Sequence, residues 1–377
     1  MAFKAKSART QHRFARRLAR LALVIFLFNC SPWVGRTAHA QYSYPSAKNP
    51  VLDIFFIDSL QGWILEGENN RAVLSHTVDG GNSWSRFGRQ PPIYKLFFLN
   101  SVHGWALTVD WPQPDAPATT LHETGDGGHT WRRLATIVSS EPNRPSMIED
   151  FWFLDSKHGW FVGHGSAGAG IALQTSDGGK SIQEVRSISG GEALLHISSQ
   201  DASKLWIFGP NSILASFDGG ATWQSQLDVE TMLGDRKNVS LASGFVLVNG
   251  TGWAVGGGGG ATILATTDSG TTWHVVLDSE DKNFLTSVSF ADSVHGCAVG
   301  ASTWLFCTSD GGKNWTTRRV LPKASDLVAI AAGISVDNSF TKILYTTPKR
   351  AWVLSEGGFL FETDEGGSIW RQCHLDH

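Results

Sequence analysis

Apolar residues fall along this chain in short runs, each ended by a polar turn, and helical periodicity is scarce. Four stretches show the alternation most clearly: Phe56-Ile-Asp-Ser-Leu-Gln-Gly-Trp63, Phe98-Leu-Asn-Ser-Val-His-Gly-Trp105, Phe153-Leu-Asp-Ser-Lys-His-Gly-Trp160 and Phe290-Ala-Asp-Ser-Val-His-Gly-Cys297. Each reads as the end of one strand, a tight polar turn, and a second strand opening on a large side chain. Weaker versions open at Leu205-Trp206, Gly252-Trp253 and Ala351-Trp352. These are strands A and B of a meander.

A second pattern follows each of the first. Asp79, Asp126, Asp177, Asp218, Asp268 and Asp310, with Glu365 in the last copy, sit in the frame Thr/Ser-x-Asp-Gly-Gly-x-Ser/Thr-Trp, as in Thr124-Gly-Asp-Gly-Gly-His-Thr-Trp131. Their spacings are 47, 51, 41, 50, 42 and 55 residues, the signature of stacked supersecondary units. The Gly two places after each Asp supplies the positive φ that a tight hairpin needs. The carboxylate can accept turn N–H groups, and the hydroxyl four places on (Ser83, Thr130, Ser181, Thr222, Thr272) can close the same network. The aromatic ring that follows is expected between adjacent sheets. Strands C and D flank this turn. Four strands in each of seven repeats predict an all-β fold, a seven-bladed β-propeller of four-stranded antiparallel blades over residues 51–377. The 41 Gly, 16 Trp and 3 Met suit such a turn-rich, aromatic-plugged chain.

The Asp-turn frame is the Asp-box, or BNR repeat, shared with sialidases, xyloglucanases and sortilin-type receptors. Together with the Phe-x-Asp-Ser-x-His-Gly-Trp partner motif, the propeller resembles the photosystem II stability and assembly factor family over residues 51–377. That resemblance implies a non-enzymatic scaffold for photosynthesis-type assembly that binds a protein client, a membrane-protein precursor. It also implies a basic contact patch, whereas Arg86, Arg132, Arg133, Arg318, Arg319 and Arg371 are scattered here.

Charge separates the ends of the chain. Residues 1–20 hold seven Lys or Arg and no acid, an apolar run follows over 21–28, and Thr37-Ala-His-Ala40 offers an Ala-x-Ala cleavage site. The expectation is a signal peptide over 1–40, too short in its apolar part to span a bilayer, then a linker over 41–50. The protein is then exported and periplasmic, or secreted. Lipidation at Cys30 is the lesser alternative, because Leu27-Phe-Asn-Cys30 places Asn29 where a lipobox has a small residue. Without 1–40 the chain keeps 23 basic residues against 34 acidic ones, a charge of −11 that gives no footprint for nucleic acid. A monomer is expected.

Candidate chemistry is sparse. No Cys or His spacing matches a metal site, and no cofactor motif appears. His103, His158 and His295 repeat one turn position, which marks them as parts of the turn. A glycosidase needs a carboxylate pair, and although Glu149 and Asp150, before strand A of the third repeat, could approach the channel near Asp53 or Asp326, no spacing singles out a pair. The alternative function is a secreted carbohydrate-active propeller, sialidase- or xyloglucanase-like. Cys297 and Cys307 lie symmetrically about Ser302 in one hairpin, so they face each other as a disulfide or as two buried thiols. The A–B and C–D turns share one face and are short. The variable B–C loops (110–117, 163–170, 256–260) and D–A loops (139–147, 228–241, 321–340) share the other, where binding residues concentrate. Partner-binding residues expected on that second face are Trp111, Arg144, Glu149, Asp150, Glu192 and Arg236.

Overall fold

A computed structural model describes residues 50–373 apart from 69–70, 114–115, 138–146, 166–167, 186, 189–190, 230–231, 233–238, 259, 280–282 and 321–338. Seven four-stranded antiparallel sheets succeed one another along the chain, each with its strands in sequence order. The blades occupy 51–90, 93–137, 147–184, 196–228, 240–278, 285–319 and 340–372. Strand A of each lines the channel and strand D lies outermost. The A strands are Val51–Phe56, Ile93–Phe98, Met147–Phe153, His196–Ser199, Ser240–Val246, Leu285–Phe290 and Phe340–Tyr345.

Blades are held to one another by side chains, because backbone ladders run only within each sheet. Seven apolar clusters form, one at each joint between consecutive blades. In four of them the strand-B Trp of one blade stacks on the strand-A Phe of the next: Trp63 on Phe98 at 3.8 Å, Trp105 on Phe153 at 3.7 Å, Trp253 on Phe290 at 3.3 Å and Trp352 on Phe56 at 5.8 Å between ring centroids. Such face contact also needs the neighbouring box to come close. A Cβ on Gly81 would stand 2.5 Å from Trp352, and one on Gly220 would stand 2.4 Å from the Trp160 indole nitrogen. The second Gly of the box therefore serves the joint as well as the turn. These strand-B indoles are the buried plugs, while most box Trp residues are only partly covered, Trp273 excepted. The box aromatics lie between adjacent sheets as expected, Trp84, Trp131, Trp223, Trp315 and Trp370 packing against the joint clusters and Trp273 inside one, with the strand-B rings at the centres.

Blade six departs from this scheme. Cys297 takes the Trp position opposite Cys307, and the two are joined by a disulfide. Where other joints show an indole on a phenyl ring, this one places both sulfurs 3.1 and 3.2 Å from where a Gly367 Cβ would lie, with the Tyr345 hydroxyl 3.0 Å from Cys297 Sγ. Of the two alternatives the sequence left open, the structure shows the bonded pair, and it stands in the Trp slot.

The expected loop at 110–117 is instead mostly ribbon. Strands Gly104–Gln113 and Ala116–Thr124 continue past it, with a register shift between Asp110 and Gln113. The shift takes up Pro112, a residue that sheets accept at bulges.

Candidate functional site

The box face is built by coupling two turns in each blade. In the first, Ser83 gives its N–H to Asp79 Oδ1 at 2.9 Å and its hydroxyl to Oδ2 at 2.6 Å. Thr77 donates its hydroxyl to Asp79 Oδ1 at 2.8 Å and accepts the Gly81 N–H at 2.8 Å. The same bonds recur around Asp126, Asp177, Asp218 and Asp268, and Asn314 replaces the hydroxyl at Asp310. The bonds from Ser83 hold the Asp79 carboxyl down at about 2, and the bonds from Asn314 do so for Asp310. Glu365 receives only a long side-chain bond from Ser368, 3.4 Å, and Ile369 stands where the other boxes place a hydroxyl or an amide. The leading Thr or Ser of the frame thus ties the carboxylate to the second glycine of the box. Next, the first box Gly donates its N–H to the A–B turn of its own blade: Gly80 to Leu60 O at 2.8 Å, Gly127 to Val102 O at 2.8 Å and Gly311 to Val294 O at 3.0 Å. These carboxylates are engaged inside turns.

A different arrangement lines the channel. Strand A carries a bulge in six blades, opposite a shift in strand B, and the residue after it is Asp53, Lys95, Asp150, Ser243, Ser287 and Lys342 in turn. Bulges re-aim side chains. Asp53 Oδ1 accepts Lys342 Nζ from blade seven at 2.6 Å, and its Oδ2 accepts the Leu96 N–H of blade two at 3.0 Å. Asp150 repeats this geometry: Lys95 Nζ lies 2.7 Å from Oδ1, while His196 Nδ1 at 2.6 Å and the Ile197 N–H at 3.2 Å reach Oδ2. Charge therefore alternates from blade seven to blade three as Lys, Asp, Lys, Asp, and His196 of blade four follows on the last carboxylate. Burial opposes ionisation of Asp150, but Lys95 and His196 overcome it and hold the carboxyl well below the usual range. Beside it, Glu149 Oε1 lies 3.1 Å from His164 Nε2, a bond that raises the His164 pKa. The bulge also explains glycines at strand-B ends: a Cβ on Gly163 or Gly256 would lie 1.9 Å from the Met147 or Ser240 carbonyl oxygen.

The expected second-face residues are dispersed. Glu149 and Asp150 lie within strand A and not before it, and Asp150 is 6% exposed, so it is a joint between blades instead of a free face residue. Glu192 is also absorbed into the fold, accepting the Asn211 N–H at 2.8 Å and the Ser212 hydroxyl at 2.6 Å in the next blade's hairpin. Trp111 has its backbone in strand Gly104–Gln113, and its side chain is outside the described positions. Arg144, Arg236 and Asp326 lie outside the described residues. Among the described residues no group of three His, Cys, Asp or Glu could hold a metal, and no helix is long and apolar enough to cross a membrane.

The repeated box network on seven closed blades defines this protein as an Asp-box β-propeller. Residues 275–377, the last strand of blade five with blades six and seven, match the family model described as photosynthesis system II assembly factor YCF48. The curated photosystem II assembly lipoprotein Ycf48 of Synechococcus sp. (strain CC9902) is 29% identical over 132 residues, 35% of this chain, and the match spans 34% of that relative's length. A solved structure of YCF48 bound to a D1 peptide has a TM-score of 0.55 at 20% identity, covering 86% of this chain and 95% of that one. The GH74 xyloglucanase of Xanthomonas campestris has a TM-score of 0.61 at 11% identity, covering 90% of this chain and 56% of that one. At these identities the structural likeness establishes the propeller fold. The chain resembles the photosystem II assembly-factor propellers, with the family signature in its C-terminal part.

Proposed function

We propose that this protein is a non-catalytic exported scaffold that holds a protein client, a membrane-protein precursor, on its variable-loop face. The observation that carries this reading is the family match over residues 275–377. The state of the channel carboxylates supports it. Asp53 and Asp150 each meet a lysine of the preceding blade and a backbone N–H of the following one, which fixes both side chains, and at Asp150 the neighbours hold the carboxyl below its usual range. General acid chemistry needs the reverse, a carboxyl whose pKa is raised. Client contact is assigned to Trp111, Arg144, Glu149 and Arg236, while Asp150 and Glu192 support the fold. The mature chain begins at Gln41 and works as a monomer in the periplasm or an equivalent lumen, a lipid-anchored form through Cys30 being the variant.

The test is capture from the native envelope with the tagged mature protein. Recovery of a membrane-protein precursor, weakened by Trp111→Ala or Arg144→Ala, is the expected result. The likeness to a xyloglucanase fold favours one second reading, a carbohydrate-active propeller. Turnover of xyloglucan oligosaccharides, sialosides or aryl glycosides by the purified protein, with no client recovered, would replace the scaffold reading by that one.

A further inference from the structure

Seven of the eight large apolar side chains standing exposed among the described residues lie on the box face. Leu60, Val102, Val248 and Val294 are on A–B turns, 56%, 52%, 79% and 38% exposed, and Val78, Phe217 and Ile369 are on box turns. Single exposed apolar residues are ordinary on a protein surface. Their confinement to one face is not. A hydrophilic residue would satisfy these solvent-facing turns equally well, as Lys157 and Ser203 do at the A–B turn of blades three and four.

The turn chemistry fixes where these side chains stand. Leu60 gives its N–H to Asp58 Oδ1 at 2.7 Å while its carbonyl holds Gly80 at 2.8 Å. Val102 is held the same way by Asn100 and Gly127, and Val294 by Asp292 and Gly311. With both backbone groups bound, the side chain stays outside and loses little freedom when a partner covers it, which lowers the cost of binding. Apart from Phe217, these apolar tips fall on blades five, six, seven, one and two, an unbroken arc of the ring.

Charge says what fits this arc. Its turns carry Asp58, Asp79, Asp126, Asp268, Asp292, Asp310, Asp364 and Glu365 against Lys313, Lys349 and Arg350. The box carboxylates Asp79, Asp268 and Asp310, at about 2, stay ionised at any physiological pH. An anionic lipid surface would be repelled by this face. We propose that the box face of blades five, six, seven, one and two is a second docking surface, and that its partner is a polypeptide segment in which basic residues flank apolar ones. This surface is separate from the variable-loop face, so a scaffold of this shape can hold a client on one side and a second chain on the other.

The test uses the purified protein and two synthetic peptides, one alternating Lys with Leu and Val, the other with Glu in place of every Lys. The triple variant Leu60→Ser/Val102→Ser/Val294→Ser changes only exposed side chains, and an unchanged melting temperature checks that it folds. The Lys peptide is expected to bind the native protein, to weaken as salt is raised from about 0.05 to about 0.5 M, and to bind the triple variant about tenfold more weakly. Trp111→Ala on the other face should leave that binding unchanged, so failure here does not bear on the client reading. Equal binding by the triple variant, or equal binding of the Glu peptide, overturns the proposal. So does capture of phosphatidylcholine vesicles, or a concentration-dependent dimer, when the triple variant abolishes either: the face would then serve a membrane or a second copy of this chain.

Discussion

Replacing Asp150 by Asn tests whether the channel carboxylates are structural joints. The amide keeps a single acceptor oxygen, so it can hold the Phe151 N–H, 2.9 Å from Oδ1, or the Ile197 N–H, 3.2 Å from Oδ2, but not both, and it leaves the Lys95 ammonium without its countercharge. Removing one partner of a fully buried pair costs about 3–5 kcal/mol. Lys95 keeps 27% of its side chain open to the channel, so solvent screening lowers the expected loss to about 2–3 kcal/mol. Asp150→Ala abandons the second N–H group as well and should lose about 1–3 kcal/mol more. The pH dependence has a definite sign. The folded carboxyl is held below its unfolded value, so its contribution is complete above pH of about 4 and lost as the pH falls below that. Urea unfolding followed by tryptophan fluorescence at neutral pH and again in acid measures both effects, and Asp150→Asn should flatten the acid limb. A variant within about 0.5 kcal/mol of the parent at neutral pH would refute the joint. Glycoside turnover that vanished in Asp150→Asn at unchanged stability would make the residue catalytic.

Four further outcomes follow from the same geometry. Asp126→Ala removes three bonds from Thr124 and Thr130 at a solvent-exposed turn, and should cost about 1–2 kcal/mol in urea melts without altering client capture. Since Asp79 and Asp310 titrate at about 2 when folded, stability from the boxes should be whole above pH of about 4 and drain away between there and about 2, read as an acid unfolding limb. Opening the disulfide by Cys297→Ala/Cys307→Ala frees a loop with a sequence separation of 10, and should cost about 2–3 kcal/mol on chain entropy, with more from the emptied slot. Intact-mass analysis of the exported protein should give a chain starting at Gln41; a diacylglyceryl adduct on Cys30, or a retained Met1, would refute the assigned cleavage.

The ring could be read from the sequence because each blade carries its own punctuation. Gly80 and Gly81 need φ of 72° and 87°, and their counterparts recur in every box, with Ser269 taking φ 59° where one glycine is replaced. Local chemistry of that kind survives as a motif. The channel ring was harder to see, since each of its bonds joins residues 40 to 290 positions apart, as Lys95 to Asp150 and Lys342 to Asp53. A signal did exist: Asp53, Lys95 and Lys342 are each a lone charge two residues into their strand, and Asp150 stands one place further on beside Glu149, with alternating sign along the ring. Asp150 and Glu192 are not free on a face for the same reason, because their partners belong to neighbouring blades. The apolar tips at Leu60, Val102 and Val294 sat in full view inside a motif whose polar members drew the attention.

The way this ring closes has a consequence for how it can be cut. Blade one is made wholly from the first of the described residues and blade seven wholly from the last of them, so no strand is borrowed across the seam. That joint rests on the same kinds of contact as the others: Lys342 on Asp53, Trp352 stacked 5.8 Å from Phe56, Arg350 on Asn82, and the Val51 N–H on the Gly358 carbonyl. The ring therefore has no privileged starting blade. Joining the two ends and opening the chain instead between blades five and six, at 280–282, should give a circular permutant with the same fold.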